Sequence, residues 1–222
     1  MKVLVFDTET TGLPTDYNAP AHESAKWPHI VQLSFLLYDT DQKTVLDYSD
    51  YIVRVDPAVE IPPASIAIHK ITRERCEQEG LPMPVVLAEF ITVLAEADLI
   101  IGHNITFDKK MLLAEMYRHQ PTAAVLQIFQ SVPEFCTMKR TIELCKITVI
   151  NKTTGKPYNK WPTLSELHNT LFQNTPIGTH NAMADVLICL RCYVYLIYKY
   201  DIAHDEKVQP VLRSLVADYC IV

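Results

Sequence analysis

Residues 3–12 are Val3-Leu4-Val5-Phe6-Asp7-Thr8-Glu9-Thr10-Thr11-Gly12, an apolar run of four residues followed closely by two acids. Side chains of a strand alternate between its faces, so residues two apart project the same way. The apolar run predicts an interior strand covered on both sides, with Asp7 and Glu9 side by side at its end. Like charges this close resist ionisation unless a cation neutralises them, so the pair predicts half of a divalent metal site. Solvated acids at a strand end are the alternative.

The size and composition of the chain are those of one globular domain. Its 222 residues and 25.3 kDa allow a sizeable core, and 49% hydrophobic with 21% charged residues exclude wholesale disorder. The longest apolar stretch, residues 187–198, contains Arg191 and is too short to span a bilayer. Lys2 precedes only four apolar residues, which is too few for a signal peptide. These features predict a soluble, intracellular, cytoplasmic protein without a membrane segment.

The cysteines have no spacing typical of a disulfide framework, in a chain too large to need one. Buried, reduced thiols are therefore the favoured interpretation. The six residues are Cys76, Cys136, Cys145, Cys189, Cys192 and Cys220.

The charge is unevenly distributed along the chain. A net charge of −6 argues against nucleic-acid binding by bulk electrostatics. Residues 139–160, here called the basic segment, nevertheless contain six lysines or arginines and one acid, Glu143. Tyr158 and Trp161 lie within or beside it, and cations interleaved with aromatic rings suit a nucleic-acid backbone and its bases. We predict that this segment lies near a nucleic-acid substrate, a solvated loop being the alternative. The lysines expected to contact substrate are Lys152, Lys156 and Lys160.

Local patterns predict an antiparallel start followed by alternating strands and helices, hence an α/β or α+β protein. The predicted strands are 2–7, 30–38, 44–55 and 98–103, with a long loop over 15–29. The predicted helices are around 86–94, 107–119, 137–146, 164–172, 182–199 and 207–219.

A further acid follows the predicted strand and helix junction at residues 103–108. Asp108 falls in the first helical turn, where the positive end of the helix dipole favours a carboxylate. By itself, such a residue starts a helix more often than it binds a metal. Asn104 by itself is an ordinary turn or cap residue.

A last acid lies in the segment 178–185, which leads into a strongly apolar helix. Asn181 is the predicted N-cap, which leaves His180 on the entering loop and Asp185 in the opening turns. A histidine on a loop beside a fixed carboxylate suits a general base next to a metal ligand. His103 also follows a strand, so spacing alone leaves both histidines open as the base.

Considered together, these acids and the histidine resemble the motifs of the DEDDh exonucleases in order, residue type and local context. This DnaQ-like group of the ribonuclease H-like superfamily includes the proofreading epsilon subunit of bacterial DNA polymerase III. The similarity is close at residues 6–13, 103–108 and 180–185, and weaker at 30–33, 68–72 and 164–167. It spans about residues 2–198 and shows no departure at five positions, which are Asp7, Glu9, Asp108, His180 and Asp185.

The resemblance implies a ribonuclease H-like α/β fold, with a central mixed five-stranded sheet flanked by helices. It also implies two Mg²⁺ or Mn²⁺ ions, and oxygen donors do suit such hard cations. Two ions roughly 3.5–4 Å apart can hold the attacking and leaving oxygens of a displacement at phosphorus. The implied metal ligands are Asp7, Glu9, Asp108 and Asp185. Of the two histidines, the resemblance favours His180 over His103 as the base.

The implied activity is that of a 3′→5′ exonuclease that releases nucleoside 5′-monophosphates, with DNA favoured as substrate. By analogy, Thr10 and Leu13 would contact the terminal nucleotide, Leu13 lying against its base, and Asn104 would support binding or the loop. The domain would cover residues 1–200, with a C-terminal helical extension over 201–222.

Two alternatives stay open at this point. An exoribonuclease or oligoribonuclease would use the same site, because no residue reveals how a 2′-hydroxyl is treated. A non-catalytic nucleic-acid-binding or polymerase-associated subunit is the alternative from another class, which makes a DNA polymerase a candidate partner. The intact set of acids argues against that second alternative, because a structural domain has no use for clustered carboxylates.

Overall fold

The computed structural model describes residues 1–215, which form a central sheet with helices on both faces. Its strands are β1 (Lys2–Thr10), β2 (Ile30–Asp39), β3 (Thr44–Arg54), β4 (Leu81–Pro82), β5 (Leu99–Gly102), β6 (Glu134–Cys136), β7 (Thr148–Ile150) and β8 (Pro157–Asn159). Its α-helices are α1 (Pro63–His69), α2 (Arg73–Glu79), α3 (Met83–Leu94), α4 (Ile105–Arg118), α5 (Ala123–Ser131), α6 (Thr137–Arg140), α7 (Ile142–Cys145), α8 (Leu164–Phe172), α9 (Ala182–Tyr198) and α10 (Gln209–Leu215). Short 3₁₀ turns cover Ser24–Lys26 and Ile202–His204.

The main sheet is mixed and has the strand order β4-β3-β2-β1-β5-β6. β1, β2 and β3 form the predicted antiparallel meander, and β5 and β6 continue the sheet parallel to β1. The α/β class and the mixed sheet are confirmed, but the sheet has six strands and not the expected five. β4, with two residues at the edge, and β6, with three, are too short to show the alternation from which a strand is predicted.

β1 is an interior strand, as its apolar run predicts. Leu4 and Phe6 pack into one core cluster together with residues of α3 and α4. Val3 and Val5 pack into a second cluster, on the opposite face, together with residues of α9. Since odd-numbered residues face α9, Asp7 and Glu9 emerge on that side, and Thr8 emerges toward α4.

Two predicted helices differ in detail from the structure. The helix expected over 137–146 is divided into α6 and α7, and Thr141 at the junction donates its hydroxyl to the Thr137 carbonyl oxygen at 2.8 Å. Such local side-chain bonds compete with a continuous helix. In the basic segment, β7 and β8 form a separate antiparallel hairpin that the sequence pattern does not indicate. Asn151 and Gly155, the latter with φ of +68°, supply its turn.

The described part of the C-terminal extension packs on the α9 side of the sheet, where Ile202, Val208 and Leu212 are buried. The helix predicted over 207–219 begins at Gln209, and residues 216–222, including Cys220, lie outside the described range. The division into residues 1–200 and 201–222 stays a prediction.

Two compositional expectations can be compared with the described residues. The five cysteines among them are unpaired, and four of these are buried. None of the helices described is long and apolar enough to cross a membrane.

Candidate active site

Three of the predicted acids meet where β1 ends beside the start of α9. One carboxylate oxygen from each of Asp7, Glu9 and Asp185 lies within 4.8 Å of the other two. β1 supplies two of them because it runs on to Thr10, so that Asp7 and Glu9 keep the alternation of a strand and share one face. A bulge in the pairing with β2 follows directly, between Glu9 and Thr10.

Asp108 approaches the same strand from its other face and lies outside this cluster of three. It is buried in the first turn of α4, as predicted. Its Oδ1 atom accepts hydrogen bonds from the Thr8 hydroxyl at 2.7 Å and from the Thr8 amide at 3.2 Å. Thr8 lies between Asp7 and Glu9 in the strand but faces the other way. It therefore holds the Asp108 carboxylate against the face of β1 opposite to those two acids.

The start of α9 has the predicted cap. Asn181 accepts a hydrogen bond from the Ala184 amide at 3.2 Å, and Asp185 lies in the first turn. The His180 amide donates to Asp185 Oδ2 at 3.0 Å, with His180 in a left-handed conformation at φ of +70°. That conformation is uncommon for residues other than glycine, and His180 is exposed.

The four acids are all held where ionisation is unfavourable. Burial, and then repulsion from Asp108, Asp185 and Glu9, raises the pKa of Asp7 well above its ordinary value. Burial is also the main cause that raises the pKa of Glu9 to about 8, and those of Asp108 and Asp185 to about 7. Either bound protons or bound cations would relieve the repulsion among these carboxylates. The cluster is therefore suited to bind divalent metal ions.

The two candidate histidines differ in the contacts of their rings. The ring of His103 is fixed by Thr137 Oγ1, 3.0 Å from Nδ1, and by the Pro162 carbonyl oxygen, 3.0 Å from Nε2. Burial lowers the pKa of His103 to about 4. Because both ring nitrogens are engaged, His103 has no free position for a proton from water, whereas the side chain of His180 is exposed.

A cleft of about 290 Å³ opens over the carboxylates. Asp7, Asp185 and both histidines line it, together with residues of the loop before α9 and of the start of α8. The start of α8 is rigid because Thr163 and Glu166 form a capping box. The residues that these two segments contribute are Thr163, Leu164, Ser165 and Thr179.

The predicted nucleotide contacts near β1 differ in how free their side chains are. Leu13 is 72% exposed, which suits a side chain that packs against a base. Asn104 is exposed at the start of α4 and makes no capping bond with its side chain. The Thr10 hydroxyl, in contrast, donates to the Gly12 carbonyl oxygen at 2.7 Å and so shapes the loop itself.

The three predicted lysines do not form one group. Lys152 and Lys156 are exposed in the turn between β7 and β8, and the structure gives neither ammonium a partner among residues 1–215. The Lys160 ammonium donates to both carboxylate oxygens of Glu166, at 2.7 and 2.8 Å. Two of the three lysines are therefore free to meet a phosphate backbone.

Gln32 is a supporting residue that the sequence analysis does not single out. It is 1% exposed, donates to Asp50 Oδ1 at 2.7 Å and accepts a hydrogen bond from the Ala182 amide at 3.2 Å. It thereby fixes the start of α9 to β2, beside its strand partner Glu9. An amide side chain in a predominantly apolar strand is the available signal for Gln32, and Thr8 gives no comparable one.

The mixed sheet, with helices on both faces and acids at the end of its first strand, is the arrangement expected of the ribonuclease H-like fold. The family model RNase_T, described as an exonuclease, matches residues 4–193. The chain belongs to this exonuclease family, which confirms the resemblance to the DEDDh exonucleases. No curated protein sequence matches the chain significantly.

Among solved structures, the chain is similar to exonuclease I from E. coli. The complex of that protein with a dT13 oligonucleotide has a TM-score of 0.64 at 16% identity, over 96% of this chain and 43% of that one. Its complex with a dA16 oligonucleotide gives 0.61 at 18% identity, over 88% and 41%. A zinc-bound complex with single-stranded DNA gives 0.60 at 17% identity, over 96% and 41%. The similarity shows the fold, and this chain spans about two fifths of the length of exonuclease I.

Proposed function

We propose that the protein is a 3′→5′ exonuclease that releases nucleoside 5′-monophosphates from DNA by a two-metal mechanism. The observation that carries the proposal is the cluster of Asp7, Glu9 and Asp185, with oxygens within 4.8 Å of one another, beside the buried carboxylate of Asp108. Without metal, four acids in one place only destabilise the fold, so their grouping calls for cations in the working enzyme.

The residues present fit Mg²⁺ or Mn²⁺, because all four donors are carboxylates and none is a thiolate or imidazole. The Asp7 carboxylate is repelled by Asp108, Asp185 and Glu9 alike, which suits a ligand shared by two ions. The other three acids would complete the shells. A bound pair of such ions would supply Lewis-acid stabilisation of the attacking and leaving oxygens.

His180 is the proposed general base. Its imidazole lies at the cleft without the ring bonds that fix His103, and its amide is bonded to Asp185. The proton of the attacking water would pass to a ring nitrogen of His180 while that amide bond keeps the residue next to the carboxylates. Leu13 would pack against the terminal base and Asn104 would support binding, while Thr10 shapes the loop that presents Leu13.

DNA is the proposed substrate because the exonuclease I structures with the same fold contain DNA oligonucleotides. The free lysines of the hairpin turn, Lys152 and Lys156, would meet the phosphates of the strand. A DNA polymerase partner stays a prediction without further support.

The test is a side-by-side degradation assay on matched DNA and RNA, single- and double-stranded, with Mg²⁺ or Mn²⁺. We expect DNA to be shortened faster than RNA. Equal or faster shortening of RNA would reassign the substrate sugar and leave the hydrolytic site unchanged. Oligonucleotide binding with no turnover of either nucleic acid would instead identify a binding subunit.

A further inference from the structure

Trp161 is an unusually exposed tryptophan on a rigid support. Its side chain is 60% exposed, although tryptophan is highly buried on average in folded proteins. Within residues 1–215, no aromatic ring stacks on the indole and no cation lies over it. The residue therefore presents a large, flat apolar surface to solvent.

The backbone on both sides of Trp161 is fixed. The Lys160 amide donates to the Ile147 carbonyl oxygen at 2.9 Å, which ties the preceding residue to the hairpin. The next residue, Pro162, is buried and accepts the hydrogen bond from His103 Nε2 at 3.0 Å. A backbone held at both neighbours of Trp161 has less freedom to lose when a ligand binds, which lowers the entropy cost of binding.

In the chain, Trp161 lies between the hairpin of β7 and β8 and residues that line the cleft. Thr163, Leu164 and Ser165, which directly follow Pro162, line the cleft over Asp7 and Asp185. On its other side, Trp161 follows the basic hairpin, whose Lys152 and Lys156 are exposed and unpaired within the described chain. A strand with its 3′ end over the carboxylates would leave the cleft past this rim and toward these cations.

We propose that Trp161 is a stacking site for one nucleobase of single-stranded substrate, upstream of the nucleotide that is hydrolysed. This inference rests on the proposed function and adds a second recognition point to it. Charge identifies the occupant as nucleic acid: the basic segment has six cations to one acid in a chain with a net charge of −6. An aromatic surface flanked by cations accepts any base by its face and the backbone by charge.

The chain allows a direct optical test, because it contains two tryptophans and Trp27 is only 3% exposed. A short single-stranded oligothymidylate is titrated into the full chain in EDTA, so that binding is measured without turnover. We expect quenching of the tryptophan emission of the wild type. Trp161→Phe should keep most of the affinity, since a ring remains, but lose the quenching. Persistent quenching in Trp161→Phe would assign the signal to Trp27 and overturn the proposal.

Affinity is measured separately, from the anisotropy of a labelled oligonucleotide. Trp161→Ala should weaken binding about 5- to 150-fold, as expected for loss of one stacked base. Tyr48→Ala removes another exposed aromatic side chain, from the middle of β3, and should leave the affinity unchanged. Abasic sites introduced one at a time should reproduce the Trp161→Ala loss at one upstream position and not at the 3′-terminal nucleotide.

Unchanged affinity and KM in Trp161→Ala would overturn the stacking site and leave the exonuclease proposal standing; a partner protein would then be the occupant of this surface. Absence of metal-dependent hydrolysis by the wild type would overturn the proposed function, which the EDTA binding data do not report on. The two failures are therefore distinguishable.

Discussion

Asp7 is the residue at which the electrostatics of the site converge, because Asp108, Asp185 and Glu9 all raise its pKa in addition to burial. We expect Asp7→Asn to reduce metal-dependent hydrolysis on the order of 10³-fold or more, equivalent to about 4 kcal/mol in the barrier. The same change should raise the Tm of the metal-free protein at alkaline pH, because it removes a buried charge. Activity assays and thermal unfolding in EDTA measure the two effects. Asp47→Asn, an exposed acid on β3, should change neither.

His180 and His103 give a matched pair at the same cleft. His180→Ala should lower kcat about 10²- to 10⁴-fold, as for loss of a general base, and leave metal-induced stabilisation intact. His103→Gln should keep comparable activity but lose about 1–3 kcal/mol of stability, because two partly buried hydrogen bonds are disturbed. Steady-state kinetics and denaturant unfolding of both variants measure this. The opposite assignment of the base would follow if His103→Gln were inactive while His180→Ala remained active.

At the scale of elements, the site depends on how α9 is held against the sheet. Gln32 joins β2 to the first residue of α9 through the Ala182 amide. Gln32→Leu should cost about 1–3 kcal/mol, because that buried amide loses its acceptor. It should also lower kcat more than it raises KM, since Asp185 and His180 move with α9. Ser34→Ala, which removes another donor to Asp50 but no hydrogen bond to α9, is the control. Equal effects of the two substitutions would contradict a specific role for Gln32.

The acids that β1, α4 and α9 bring together also make the stability of the metal-free protein depend on pH. The pKa values of about 8 for Glu9 and about 7 for Asp108 and Asp185 lie above their unfolded values of about 4. The folded state therefore binds more protons in this interval, and the unfolding free energy of metal-free protein falls as pH rises from about 4 to about 8.

Divalent cations replace those protons, so the increase in Tm on adding Mn²⁺ should be larger at about pH 8 than at about pH 5. Thermal unfolding across this range, with EDTA and with Mn²⁺, measures both trends. Metal-free stability that rises with pH over this interval would mean that the four acids do not share one buried site.

The arrangement of these elements also explains which features of the site can be predicted from the sequence alone. The resemblance to the DEDDh motifs groups Asp7, Glu9, Asp108 and Asp185 in one predicted site, whereas spacing alone places each acid only at the end or the start of a patterned element. Spacing cannot reveal that Asp108 is held by Thr8 outside the cluster of three, since that contact joins residues 100 positions apart. Nor can it rank His180 and His103, whose difference is the pair of ring contacts from Thr137 and Pro162. The hairpin of β7 and β8 is missed because three-residue strands leave no periodic signal.

At the scale of the whole molecule, a chain with a net charge of −6 has to bring a polyanion to a cluster of acids. The hairpin of β7 and β8, which precedes the cleft residues 163–165 in the chain, offers a local solution, because short-range charge outweighs distant acids at physiological ionic strength. The Lys152→Ala/Lys156→Ala double variant should weaken oligonucleotide binding and flatten its salt dependence by about 1.4 in log–log slope, at about 0.7 per phosphate contact on a single strand.

Lys160→Ala serves as the comparison in this experiment, because it breaks an ion pair with Glu166 and removes no free cation. Its salt slope should stay that of the wild type even if its stability falls. Binding titrations at several salt concentrations measure the slopes. An unchanged slope in the double variant would place these lysines away from the substrate path.

Hydrolysis of a 5′-labelled single-stranded DNA by wild type and Asp7→Asn, with Mg²⁺, Mn²⁺ or EDTA, is the decisive measurement. We expect progressive shortening from the 3′ end with release of nucleoside 5′-monophosphates, dependent on metal and on Asp7. No release of mononucleotides from DNA or from matched RNA with either metal would contradict the proposed function.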